Sequence, residues 1–402
     1  MQTRWAQFVS PHNARRDYPR PHAIRKEWKS LNGLWEFAFD DANQGRTEGW
    51  MAGQSLPERI LVPWTFEAAL SGIGKGDEIH EYVWYRRTWD IPPTWRRKRV
   101  WLHFGAVDWE SSVWVNGVEV GMHRGGYTPF SFDITDALKP DKPQEVVVAV
   151  YDPADPQQGA YQPKGKQLGS QGIWYTRTTG IWQSVWLEPV HPTHIATFSL
   201  EPNTELTGWL LHLVVANPER TTLLVNISHN RKAVYTVEEK ASETVTLPLP
   251  VAHPELWSPE NPALYDISLI LKQNGHVVDE IQTYGALRSV GIHNGRIMLN
   301  DKPYFLKAVL DQGFWPEGIY TAPTEEALRY DVEMTRAFGF NTARKHVKVE
   351  DPRWYYWCDR LGLLVAQDMP SSHNLSTPEA KKNFSHEWQQ VVAALRMHPC
   401  VI

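Results

Sequence analysis

The hydrophobic pattern changes period once along the chain, and that change divides it. Up to about residue 288, apolar residues come in short runs. The first are LWEFAFD, VWYRRTWDIP, RVWLHFGAVD, SSVWVNGVEV, EVVVAVYD and SVWLEPV. HIATFSLEP, GWLLHLVVANP, TLLVNISHN, AVYTVEEK, TVTLPLP and LYDISLILKQNGHVVDEIQTYG follow. Pro, Gly, Asn and Asp break these runs and no helical period separates them, so each reads as a strand. Asn116-Gly117 and Asn274-Gly275 are hairpin signals, because both residue types tolerate positive φ. Many short strands without helices predict two β-sandwiches. Residues 1–188 are expected to form a jelly roll and residues 189–288 an immunoglobulin-like sandwich.

From about residue 289 the period lengthens. GIHNGRIMLNDKPYFLKAVLDQG predicts a hairpin running into a strand at Tyr304 to Leu310. Ala327, Leu328, Val332, Met334 and Phe338 make one apolar helical face, with Thr324 as N-cap, Glu325 and Glu326 on the helix dipole, and Gly339 at the end. A strand at Phe340 to Lys345 comes next. Asp351-Pro352 caps a helix over Trp354 to Leu361, and Gly362 supplies its left-handed stop. Leu363 to Gln367 is apolar without alternation, the mark of a strand covered on both faces. A helix from Ser385 to Met397, with Val391, Val392 and Leu395 inward, precedes a fourth strand starting at Cys400. Such βα units place their strands parallel. Residues 289–402 hold fewer than half of the about 250 residues that a complete eightfold barrel needs. The predicted fold class is therefore multidomain β plus α/β, ending in an incomplete (β/α)8 TIM barrel.

Composition narrows the functions. The chain has 42% hydrophobic residues and a formal charge of −5, which excludes the basic footprint of a nucleic-acid binder. Arg96 to Arg99 beside Pro92-Pro93 reads as a solvated turn. No stretch reaches the roughly 18 apolar residues of a membrane span, and the N-terminus lacks a signal peptide's apolar core. The expectation is a cytoplasmic protein with neither membrane nor nucleic-acid partners. Cys358 and Cys400 form no framework and should be reduced and buried. Most of the 20 Trp must be core, with a minority free to act as platforms for sugar faces. C-x-x-C, H-E-x-x-H, G-x-S-x-G and phosphate-loop patterns are missing from the sequence, so no metal ligand is assigned and no cofactor is expected, while whether a metal assists stays open. Gly72 to Gly76 reads as a turn, because no helix follows it.

Barrels of this type carry chemistry at the C-terminal ends of their strands. The candidates are Asp311 with its neighbour Gln312, Arg344 and His346 after the second strand, and Gln367-Asp368 after the third. A carboxylate, a guanidinium and an imidazole on one rim can hydrogen-bond sugar hydroxyls. A structural ion pair of Arg344 with Asp368 or Asp311, and a satisfied half-buried His346, stand beside that reading. Trp315 in GFWPEG is a candidate platform or a packing residue. Lys345 is given no direct contact.

Asn341, Arg344 and His346, followed by Cys358-Asp359-Arg360-Leu361-Gly362-Leu363, resemble a pattern of glycoside hydrolase family 2. That pattern is N-x-x-R-x-S-H-Y-P before a helix ending C/A-D-x-L-G-L; the family includes β-galactosidases, β-glucuronidases and β-mannosidases. Lys345 and Val347 stand where the family has serine and tyrosine. WYRRTWDIP, VWVNGVEVGMHRGGYTPFSFDIT and TGIWQSVWLEPV resemble its sugar-binding domain, and LWSPENPALYDISLIL its middle domain. The resemblance implies a retaining, exo-acting β-glycosidase of carbohydrate metabolism. Its partner would be a terminal β-linked sugar, with Arg344 and His346 lining the −1 subsite and Gln367-Asp368 matching an acidic pair. Leu310-Asp311-Gln312 replaces the N-R-H of the best-known galactosidases, and Trp174-Tyr175 falls where they offer an aspartate. Both departures point away from galactose, and the Gln-Asp form is more similar to the mannosidase-type and uncharacterised branches.

Retaining hydrolysis needs two carboxyl groups about 5–5.5 Å apart. The family's acid/base glutamate closes a W-x-x-x-N-E run after strand four, and its nucleophile follows strand seven. LRMHPCVI resembles the segment leading into that run. Both glutamates are thus expected beyond Ile402, no catalytic residue is assigned within this chain, and the chain alone should be inactive. The alternative is a non-catalytic carbohydrate-binding or adaptor protein with its natural end at residue 402. The oligomeric state stays open.

Overall fold

A computed structural model describes residues 1–153, 162–167 and 169–402. Among these residues, strands dominate the first three-quarters of the chain. A four-stranded sheet (Lys29–Ser30, Val185–Val190, Arg99–Phe104, Phe130–Asp133) faces a six-stranded one. The latter runs Glu58–Val62, Gly33–Phe39, Tyr82–Trp89, Gln144–Tyr151, Glu110–Val115, Val118–Arg124. All these pairings are antiparallel. Trp35, Phe37, Val83, Tyr85, Leu102, Phe104, Val148 and Leu187 fill the space between the sheets. Asn116 (φ 53°) and Gly117 (φ 82°) make the expected tight turn.

The second sandwich pairs His194–Pro202, Gly208–Ala216 and Thr244–Pro250 against Lys232–Lys240, Thr221–His229, Tyr265–Gln273 and His276–Gly285. Alternation carries its core: Leu223, Val225 and Ile227 on one strand meet Ile267, Leu269 and Leu271 on the next. Asn274-Gly275 turns as expected, and Asn230-Arg231 (φ 50° and 64°) forms a hairpin that the residue types did not announce.

After residue 289 a hairpin (Val290–His293, Arg296–Leu299) precedes three parallel strands, β1 (Ala308–Asp311), β2 (Thr342–Lys345) and β3 (Leu364–Gln367). Strand β1 begins four residues later than the apolar run suggested. Between the strands lie helices α1 (Glu325–Ala337) and α2 (Pro352–Leu361). The Thr324 hydroxyl accepts the Ala327 N–H and Asp351 accepts that of Arg353, while Gly362 (φ 77°) closes α2. Helix α3 (Pro378–Leu395) starts seven residues before the expected Ser385, because Thr377 caps it and Pro378 sits at its first turn. The Lys381-Lys382-Asn383 turn is polar and leaves no apolar period to read. Two residues assigned inward are exposed, Phe338 at 75% and Val392 at 48%. Val401 makes a single parallel bridge to Val365, at the position where the pattern expected a fourth strand to start.

Tryptophans tie the units into one core. Trp182 of the first sandwich and Trp257 from the end of the second pack with Leu328, Trp354, Tyr355 and Leu364 of the last unit. Trp257 Nε1 donates to the Asp359 carbonyl at 2.9 Å, and Trp64 Nε1 to that of Thr321 at 3.3 Å. Both cysteines are buried and free. Among the described residues no helix is long and apolar enough to cross a membrane.

Candidate functional site

Parallel pairing fixes which side chains share a face. Leu310, Arg344 and Ala366 lie level across β1, β2 and β3; Asp311, Lys345 and Gln367 form the next row and point the other way, towards the helices. The first row is uncovered: Leu310 is 50% exposed and the Arg344 side chain 53%.

Arg344 meets Asp368 through two parallel hydrogen bonds, Nε to Oδ1 at 3.1 Å and a terminal N–H to Oδ2 at 3.0 Å. His346 Nε2 stands 3.9 Å from the same carboxylate, and its Nδ1 is buried without a partner. Burial and then the charge of Lys166 hold its imidazole below the ordinary range. Asp311 is committed inward: Oδ2 accepts Lys345 Nζ at 2.6 Å and Oδ1 the Gly313 N–H at 2.8 Å. Burial pushes its carboxyl up, but the Lys345 charge and these bonds keep it below its usual value. Gln367 is committed too, donating to the Lys348 and Asp368 carbonyls at 2.8 and 2.6 Å and accepting from the Tyr355 hydroxyl. Trp315 stands apart from these, edge-on to Trp5 with centroids 6.2 Å apart, its Nε1 buried and unpartnered. Arg344, His346 and Asp368 therefore come together; Asp311 and Gln367 lie beneath them.

Lys345 is the residue the sequence undervalued. It is wholly buried, with Nζ also 3.2 Å from Glu350 and 3.8 Å from the centroid of Trp354. Lys348, equally buried, bonds Glu350 at 2.9 Å and the Gly313 and Tyr320 carbonyls at 2.6 and 2.8 Å. The signal available was the strand period, which puts Lys345 on the buried side with Ala343.

A segment of the first sandwich reaches this rim. The Lys164 and Gly165 N–H groups donate to the Ser371 carbonyl at 2.9 and 3.0 Å, and His373 donates to that of Gly165 at 2.6 Å. Tyr175 stacks on Phe314 at 4.0 Å and Trp174 meets His373 edge-on at 5.0 Å. Beneath it Lys164 is held by Asp108 at 2.8 Å and Asp152 at 2.7 Å. Two clefts of about 530 Å³ lie elsewhere, one lined by Pro92, Trp95 and Lys139, the other by Trp5, Arg15 and Pro323. Neither includes the clustered donors and acceptors of the rim, so chemistry rather than volume makes the rim the candidate.

Two family models match the chain: the sugar-binding domain of glycosyl hydrolases family 2 over residues 73–190, and the family 2 domain that follows over residues 193–288. The chain belongs to glycosyl hydrolases family 2. This family 2 chain is 28% identical over 395 residues to a putative β-glucuronidase of Formosa agariphila, covering 92% of the chain and 36% of the relative. It is 23% identical to a β-galactosidase of Thermoanaerobacter pseudethanolicus, covering 93% of the chain and 49% of the relative. It thus spans less than half the length of these curated relatives. Its fold matches that of a β-glucuronidase from Ruminococcus gnavus with a TM-score of 0.80 at 24% identity, covering 97% of this chain and 67% of that one.

The rim gives a direct test of whether Arg344 is a structural bridge. Its ion pair is exposed, and such pairs contribute about 0–1 kcal/mol. Arg344→Ala is expected to leave the unfolding free energy within about 1 kcal/mol in urea titrations. A larger loss would assign Arg344 to the framework.

Proposed function

We propose that this chain is the N-terminal portion of a retaining, exo-acting β-glycosidase that hydrolyses the O-glycosyl bond of a terminal β-linked sugar. In this reading residues 1–188 are a jelly roll, 189–288 an immunoglobulin-like sandwich, and 289–402 the first part of a (β/α)8 barrel. Arg344, His346 and Asp368 contact the sugar, Asp311 and Gln367 lie beneath them, and Trp315 stands apart against Trp5.

The observation that carries this reading is the bare face of a parallel sheet. Parallel sheets are normally covered on both sides, yet Leu310 and Arg344 lie open and, among the described residues, β1 pairs only with β2. Phe305 beside it is 80% exposed. Further strands closing a barrel would turn that face into an interior. The carboxylates agree: Asp311 is bound by Lys345 and Asp368 by Arg344. A neighbouring cation favours the ionised form of each, which suits neither to the role of general acid. The reacting glutamates would come from polypeptide beyond Ile402, and this chain would bind and orient the sugar.

A panel of aryl β-glycosides tests this. The 402-residue chain should show no turnover, whereas the polypeptide read on through Ile402 should hydrolyse at least one member with retention. Turnover by the shorter chain would overturn the proposal. A stop codon after Ile402 with a soluble monomer would put a non-catalytic carbohydrate-binding protein in its place.

A further inference from the structure

Away from the rim, three remote segments bring His22, Asp359 and His398 together, with one candidate ligand atom from each lying within 4.8 Å of the others. Asp359 is fully buried and His398 is 4% exposed. Asp359 Oδ2 accepts the Tyr284 hydroxyl at 2.7 Å and His398 Nδ1 at 2.6 Å, and Oδ1 accepts the Cys400 N–H at 2.9 Å.

The hydrogen-bond count around the His22 ring does not close. A carboxylate only accepts, so His398 carries its hydrogen on Nδ1 and its Nε2 presents a lone pair. Among the described residues nothing donates to that nitrogen. His22 is more extreme, because both its ring nitrogens are buried and neither has a partner. Buried polar atoms are normally paired, and an exception calls for an unseen partner. The two imidazoles lie with centroids 3.8 Å apart and planes tilted by 39°. Each neutral ring carries one N–H and one lone pair, so His398 Nε2 and one nitrogen of His22 can offer two lone pairs to a single electron-pair acceptor.

We propose that His22 and His398 form a binding site for a borderline divalent transition metal of the zinc class. His398 ligates through Nε2, and Asp359 acts as the outer carboxylate that fixes its tautomer. Imidazole suits such ions, and a carboxylate behind the ligating histidine is their usual support. Zn–N bonds of about 2.0–2.1 Å require the two nitrogens to face one point. His22 has no hydrogen bond to break in turning its ring edge towards His398. Water fills the remaining positions. His398 also borders a cleft of about 370 Å³ shared with Tyr284, Arg288 and Arg396, which gives an ion a way in. The site would pin the N-terminal segment to the end of the last unit. The sequence could not display it, since its ligands lie at positions 22 and 398.

The test uses Zn²⁺ alone in calorimetry and Co²⁺ alone in visible absorption, on the 402-residue chain. One ion per chain should bind, and Co²⁺ should give a ligand-field band. His22→Phe keeps an aromatic ring against His398 and removes only the nitrogens. It should abolish that binding while leaving the fold intact by circular dichroism. Asp359→Asn should weaken the ion by about 10–100-fold. Binding unchanged in His22→Phe, binding lost in Cys400→Ser instead, or no binding to the parent chain would each overturn the proposal.

Discussion

Lys345→Met is expected to destabilise the last unit by about 3–5 kcal/mol, the usual cost of removing one partner from a buried ion cluster. Methionine nearly matches the lysine stem in volume, so packing on Trp354 survives and the loss is electrostatic. What remains is Glu350, 2% exposed, and Asp311, 20% exposed, sharing the single charge of Lys348. Asp331 registers the same field: burial and the Asp311 charge already push its carboxyl up to about 6. Without Lys345 these acids must take up protons or leave the interior. Urea unfolding followed by tryptophan fluorescence measures the effect. Adding Asp311→Asn should restore part of it, because the second change removes the charge that the first left unpaired. A loss under about 1 kcal/mol, or no recovery in the double variant, would show that Lys345 is not the centre of the cluster.

The second large effect is expected at Glu188, where the N-terminal segment meets both sandwiches. Its Oε2 is 2.8 Å from Arg20 and 3.2 Å from Arg25; Oε1 accepts from the Tyr18 hydroxyl at 2.6 Å and Trp186 Nε1 at 2.8 Å. Arg25 also grips Asp279 of the second sandwich at 3.0 Å. Burial alone would raise the Glu188 carboxyl, but the Arg20 charge, with His103 and Arg25 behind it, brings it down to about 2. His103 is itself held near 3 by burial and is neutral at pH 7, so the arginines and the hydroxyl and indole donors dominate there.

A carboxyl bound more weakly to its proton in the folded state stabilises above its unfolded pKa. This contribution, on the order of 3 kcal/mol, is complete above about pH 5 and drains away as pH falls towards 2. Glu188→Gln should lose it at pH 7 and flatten the acid limb of a stability profile between pH 5 and 2. Parallel profiles for parent and variant would refute the assignment.

These two clusters show where legibility stopped. The caps on α1 and α2 and the turns at Asn116 and Asn274 were readable because each is decided within four or five residues. The strand-end positions of Asp311, Arg344 and Gln367 followed from the period of β1, β2 and β3. The division of labour among them did not. Whether Arg344 faces open space and Lys345 a buried acid depends on Glu350 and Trp354, and on the sheet face that each row presents. Gln367 looked like half of an acidic pair, yet its amide is consumed by Tyr355 and the Lys348 carbonyl.

By itself, the sequence determined the elements, their order and the membership in family 2, because periodicity, capping and turn chemistry act over short distances and leave a local imprint. Tertiary structure alone decided that residues 3–28 run across all three units, that Tyr175 reaches Phe314, and that His22 rests on His398. Those contacts join residues scores to hundreds of positions apart. Their energies depend on burial and on charge partners that no window of sequence contains.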